Sequence, residues 1–235
     1  MLFAALRISI VPLPSQNCGQ ALCLMNQPTI PSMDEVENPN PRNRRIILVC
    51  HGRPVIDEKE APAHWTLSEA GRDAATALAQ EIKTRGAFVY DIMSSSETKA
   101  LQTAEILATC LDSSAPVVVD ANFSEHGRQH TDFRNSKDFE TDIIRLFTRS
   151  PHELVFGDET ADAAVERFAA GLQRWEDSST SDITVVTHGR VLSLYMGRKL
   201  GVNTLEFWRA LKMPAAIIIC NGQWEMIEAA GAASR

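Results

Sequence analysis

The 235-residue chain has no apolar run approaching the roughly 20 residues that a membrane-spanning helix requires. It also has no surplus of positive charge: 23 Lys and Arg against 30 Asp and Glu give a net charge of -7. That balance argues against a general nucleic-acid binder, while leaving room for a local basic pocket. Its five cysteines, an odd number, show no paired spacing. A disulfide framework is therefore disfavoured, and reduced, buried thiols in a cytoplasmic protein are expected. No His, Cys and carboxylate spacing suits a zinc site, and there is no solenoid-type repeat. What remains is an ordinary globular composition, 44% hydrophobic and 23% charged, long enough for a sizeable sheet.

Residues 1–43 read differently from the rest. Gly19-Gln20-Ala21 has the small-x-small form of a cleavage site, but Pro12, Pro14, Gln16 and Asn17 break the stretch leading into it. Further prolines follow at 28, 31, 39 and 41. The expectation is a flexible leader ahead of an α/β domain at residues 44–230.

Within that domain, two segments end alike: Ile46-Ile47-Leu48-Val49-Cys50-His51-Gly52-Arg53 and Ile183-Thr184-Val185-Val186-Thr187-His188-Gly189-Arg190. Each is an apolar, β-branched run, the mark of a buried parallel strand, stopped by His-Gly-Arg. The glycines, Gly52 and Gly189, let the backbone turn and keep bulk away from a ligand. His51 and His188 are thereby placed at the carboxyl ends of core strands, where open α/β sheets keep their active sites. Between them strand and helix patterns alternate: helices over residues 69–84 (Ser68 as N-cap), from the Ser94-Ser95-Ser96 cap cluster to 110, 137–147 and 160–175, and strands over 88–93 and 117–119. A helix over 191–200 follows the second His-Gly-Arg, and Asn221-Gly222 marks a closing hairpin between 215–220 and 223–227. Residues 122–135 read as a polar loop, and the histidines at 64, 126, 130 and 152 as loop residues.

Four motifs in this order resemble the histidine phosphatase superfamily, also called phosphoglycerate-mutase-like. They are Cys50-His51-Gly52, the run Ser94-Ser95-Ser96-Glu97-Thr98-Lys99-Ala100-Leu101-Gln102-Thr103-Ala104, Glu125-His126-Gly127 and Thr187-His188-Gly189. Leu67-Ser68-Glu69-Ala70-Gly71 resembles the family's helix start. The resemblance implies a three-layer α/β sandwich with a mainly parallel mixed sheet flanked by helices. It implies hydrolysis of a small phosphorylated substrate through a phosphohistidine on His51. His188 would stabilise the transferring group, and Glu125 would protonate the leaving oxygen and then activate water. No metal or other cofactor is implied, because cationic side chains do that work. A His-Gly pair after the fourth strand argues against the acid-phosphatase branch, which typically has His-Asp there.

Two residues depart from the family pattern. Cys50 stands where the resemblance expects Arg, and Lys99 where it expects a second Arg. Arg grips phosphate through a planar fork, Lys only as a point charge, and Cys as neither. Losing one charged hydrogen bond of roughly 1.5–3 kcal/mol lowers a rate about tenfold to a hundredfold. Cys50 itself reads as a small buried hydrophobe ahead of a reactive thiol. Arg53 and Arg190, each following a His-Gly pair, either supply part of the missing grip or are solvated loop and helix-start residues. The rival to a phosphatase is accordingly a family member that binds a phosphorylated ligand or partner without turnover, with a mutase as the third reading.

Overall fold

The computed structural model describes residues 44–86, 91–127 and 136–233. The leader at 1–43, the start of the expected second strand at 88–90, and the loop residues Arg128, His130 and Arg134 lie outside them. The elements run β1 (Ile46–Cys50), α1 (Glu69–Thr84), β2 (Asp91–Ser94), α2 (Thr98–Cys110), β3 (Val118–Val119), α3 (Ser136–Thr148), α4 (Ala161–Ser178), β4 (Ile183–Thr187), α5 (Gly189–Leu200), α6 (Thr204–Ala210), β5 (Met213–Cys220) and β6 (Gln223–Ala233).

The sheet order is β3-β2-β4-β1-β5-β6. The first four strands are parallel, and β5 and β6 are antiparallel. Side chains alternate across it as the period of two dictates. Ile47 and Val49 of β1 pack with Leu78 and Ile82 of α1 and Ala104 and Leu107 of α2. Leu48 and Cys50 face the other way, into a core with Phe168 and Leu172 of α4 and Val191, Leu192 and Met196 of α5. Helices thus cover both faces, which makes three layers and explains why β1 and β4 are buried along almost their whole length.

β1 pairs directly with β4, Cys50 opposite Thr187, although 132 residues of chain lie between the end of β1 and the start of β4. After β1 the chain passes to α1 on one face; after β4 it enters α5 on the other. The crevice of a doubly wound sheet opens where neighbouring strands part in this manner.

Local chemistry sets the boundaries. Ser68 caps α1, its Oγ accepting the Gly71 amide at 3.1 Å. Thr160 caps α4 through the Ala163 amide at 3.1 Å. At the hairpin, Asn221 and Gly222 both take positive φ, 51° and 75°, as a tight two-residue turn requires. Three expectations need correction. The serines at 94–96 do not cap α2: its N-cap is Glu97, with no capping side-chain bond. A short helix, α6, was not anticipated, although Asn203 accepts the Glu206 amide and the Asn-x-x-Glu spacing is a helix-start signal. β6 runs to Ala233, beyond the expected strand end at 227.

Gly52 and Gly71 lock α1 against the turn that follows β1. A Cβ on Gly71 would lie 2.2 Å from the Arg53 carbonyl oxygen, and one on Gly52 would lie 2.7 Å from that of Gly71. Both obstacles are backbone, so neither yields by a rotamer change. Gly71→Ala is expected to destabilise the fold by about 1–3 kcal/mol, read from urea unfolding; an unchanged midpoint would contradict this packing.

Candidate active site

Three strand ends converge at the carboxyl edge of the parallel strands. The His51 amide donates to the Thr187 carbonyl at 3.0 Å, and the Ser95 amide to the Val186 carbonyl at 3.0 Å. The residues that leave the sheet here, His51, His188 and Ser95, are therefore neighbours by strand register. The two imidazoles meet edge-on, ring centroids 5.0 Å apart and inclined at 63°.

His51 is buried, and its Nδ1 lies 2.7 Å from the Gly52 carbonyl oxygen. A carbonyl oxygen only accepts, so Nδ1 carries the hydrogen and Nε2 presents its lone pair. The Gly52 amide in turn donates to Thr103 Oγ1 at 3.0 Å, tying the turn to α2.

His188 is fully buried. Burial holds its pKa down at about 4, against the upward pull of Glu97 and with the added downward push of Lys99. The ring is neutral at pH 7. Its Nε2 lies 2.8 Å from Ser95 Oγ and 3.3 Å from Glu97 Oε1, while Nδ1 is buried with no hydrogen-bond partner. A hydrogen on Nε2 and a bare Nδ1 fit that arrangement.

Glu125 is tied from several sides. Oε1 accepts the amides of His126 at 2.9 Å and Val191 at 3.0 Å; Oε2 accepts the Arg190 amide at 3.3 Å and lies 3.4 Å from Arg190 Nε. It thus occupies the N-terminus of α5, whose own N-cap, His188, makes no capping bond. Burial would raise its pKa, but Arg190, His188 and these amides outweigh burial and hold the carboxyl well below the usual range.

Of the cations, Lys99 is buried and donates to the Pro62 carbonyl at 2.8 Å and to Glu97 Oε2. Arg190 is also buried, so it is not a solvated helix-start residue. It donates to the His126 carbonyl at 3.2 Å and stacks 5.5 Å from the Phe139 ring centroid. Arg53 is exposed, and its carbonyl is held by Ser68. Cys50 is fully buried in the core facing α4 and α5. His126 lies in a loop, as expected, but is buried there, with Nε2 2.8 Å from the Glu159 carbonyl oxygen.

Two participants escaped the sequence reading. Glu97 lies within the His188–Lys99 pocket. Burial would raise its pKa, but His188 and Lys99 pull it below the ordinary value. Arg167 of α4 clamps the loop bearing Glu125: it donates to the Asn122 carbonyl at 2.7 Å, the Ser124 carbonyl at 3.1 Å and Glu159 Oε1 at 2.6 Å. Glu159 Oε1 also accepts the Gly127 amide at 2.9 Å. Nothing local marks Arg167 as a clamp, since the carbonyls that it holds lie more than forty residues away. Among the described residues, no group of three or more His, Cys, Asp or Glu side chains is arranged to hold a metal ion. No helix there is long and apolar enough to cross a membrane.

A mixed α/β sheet with two histidines at adjacent parallel strand ends defines the class of the protein. The family model described as "Histidine phosphatase superfamily (branch 1)" matches residues 46–226, and the chain belongs to that superfamily. No curated protein matches it in sequence. Among solved structures it is similar to a mycobacterial glucosyl-3-phosphoglycerate phosphatase, with 17% identity, 80% of this chain and 100% of that one covered, and a TM-score of 0.58. It is similar also to a phosphoglycerate mutase from Bacillus anthracis, with 15% identity, 81% and 95% covered, and a TM-score of 0.57. A third is the protein histidine phosphatase SixA complexed with tungstate, with 15% identity, 78% and 96% covered, and a TM-score of 0.54. At these identities the likeness is one of fold.

Burial of neutral His188 links stability to pH. Its folded pKa, about 4, lies below its ordinary 6.5, so the unfolded chain takes up the proton first. The stabilisation is full above pH 6.5 and is lost as pH falls toward 4. Urea-unfolding stability is expected to fall by on the order of 2–3 kcal/mol across that window. His126, also lowered by burial and Arg190, adds in the same direction. His188→Asn flattens most of the slope; a wild type insensitive to pH between 7 and 5 would refute the assignment.

Proposed function

We propose that the domain at 44–230 hydrolyses a small phosphate monoester through a phosphohistidine on His51. One observation carries this reading: Nδ1 of His51 is held by the Gly52 carbonyl, which leaves the Nε2 lone pair as the nucleophile. Nε2 attacks phosphorus, the ester P–O bond breaks, and its electron pair leaves on the alcohol oxygen, which takes a proton. Water then attacks phosphorus, the P–N bond breaks, and inorganic phosphate departs. His188 Nε2–H donates to an equatorial oxygen of the transferring group. Glu125 rests as an anion; a bound phosphoryl dianion competes for Arg190 and makes proton uptake by Glu125 easier. Glu125 then serves as acid to the leaving oxygen and as base to the incoming water. Lys99, Gly52, Gly189, Arg53 and Arg190 line the phosphoryl subsite in this reading. The names of the phosphatase and mutase of similar fold support phosphoryl chemistry without choosing between hydrolysis and transfer.

A second reading, binding of a phosphorylated ligand or partner without turnover, is favoured by a separate observation. Lys99 is engaged by Glu97, and Cys50, in the place where the resemblance expects Arg, lies in the apolar core. The two readings separate on turnover of an aryl phosphate. Hydrolysis that drops about a thousandfold in His51→Ala, with acid-labile label trapped on His51, is the expected result. No His51-dependent turnover by the natural chain, together with retained binding of phosphate, would leave the binding reading in its place.

A further inference from the structure

The donors around the phosphoryl subsite already share an anion, and it belongs to the chain. Oε1 of Glu97 accepts the Glu125 amide at 3.1 Å and lies 3.3 Å from His188 Nε2. Oε2 accepts from Lys99 Nζ. An amide and an ammonium donate to the two Glu97 oxygens, and the His188 ring, whose N–H goes to Ser95 Oγ at 2.8 Å, lies beside them; these are groups that a phosphoryl oxygen would use beside His51. Charge follows the same pattern: Lys99 faces Glu97, Arg190 faces Glu125, and the two cations are balanced by two carboxylates. The Glu97 side chain is 14% exposed, so it reaches the pocket from its rim.

The position of Glu97 in the fold makes its departure inexpensive. It is the N-cap residue of α2 but makes no capping side-chain bond, so no helix-end bond is lost when it turns away. Its backbone is held independently, the amide donating to Ser95 Oγ at 3.2 Å. Each contact that it gives up, to Lys99, to His188 and to the Glu125 amide, is one that a phosphoryl oxygen restores.

We propose that Glu97 is a built-in occupant of the phosphoryl subsite, whose carboxylate must leave Lys99 and His188 before an oxyanion can take them. Glu97 thereby acts as an internal competitor that lowers affinity for phosphate-like dianions and sets which ligands bind strongly enough to displace it. The inference rests on the site reading above, that His51, His188 and Lys99 surround the phosphoryl group.

Calorimetric titration of the full chain with tungstate, and separately with inorganic phosphate, tests it. Glu97→Gln keeps the shape and removes the charge, and Glu97→Leu removes the competing acceptor; circular dichroism reports whether each is folded. Both variants are expected to bind at least tenfold more tightly than wild type. Lys99→Ala is expected to weaken binding in both backgrounds, and by several-fold more in Glu97→Gln, where no carboxylate competes for the ammonium; this coupling distinguishes competition from a general change in pocket charge. Measurable binding of equal strength in wild type and both variants would overturn the role of Glu97 and leave the site reading intact. No binding by wild type or either folded variant would overturn the site reading, and this inference with it.

Discussion

Everything in the site depends on one pairing, the parallel contact of β1 with β4 in the register that sets Cys50 opposite Thr187. The His51 amide extends the ladder by one more bond, to the Thr187 carbonyl. The residue that follows β4 is His188, so the two imidazoles meet. A slip of one residue would send His51 and the whole apolar set of β1 to opposite faces, which the two filled cores forbid. The hydrophobic cores thus hold two nitrogens in place without touching them. The glycine contact between the turn after β1 and the first turn of α1 does the rest, fixing where Gly52 puts the carbonyl that His51 needs.

The charges of the pocket balance one another. Both buried cations are matched by carboxylates, and His188 is neutral because burial prevails over two nearby anions. Buried charges are tolerable only when paired, so a chain with Lys99 and Arg190 inside must bring its own counter-ions or bind them. Here it brings them. Glu125 has a second reason to be ionised, since it also satisfies amides at the start of α5 that no capping side chain serves.

Much of the fold was readable because the informative signals are local. β1 and β4 announce themselves as apolar runs ending in His-Gly-Arg, α1 by Ser68, and the closing hairpin by Asn221-Gly222. The four motifs placed His51, His188, Glu125 and Lys99 in one neighbourhood, and the structure brings them together there. What could not be read arises from contacts distant in sequence. Glu97 looks like a helix-start residue, and only the approach of β4 and the Glu125 loop turns its position into a pocket wall. Arg167 sits on an amphipathic helix where any arginine would pass as solvated. Arg53 and Arg190 look identical in sequence; one is exposed and the other buried because α5 enters the core and the turn after β1 does not.

The two carboxylates of the site are held by very different constraints. Glu125 is fastened by backbone amides and by Arg190, and its loop is clamped a second time by Arg167 and Glu159. Moving it would strand buried donors on α5 and unpair Arg190, each a penalty on the order of 1–3 kcal/mol or more. Glu97 reaches inward from a helix start that does not need its side chain, and its partners would be served equally by an incoming oxyanion. The pocket therefore has one wall fixed by the fold and one set by a side chain that a ligand can replace. If the pocket takes an oxyanion as proposed, that asymmetry, more than the count of cations, sets its discrimination: a ligand's own charge and oxygens must repay the displacement of a single carboxylate.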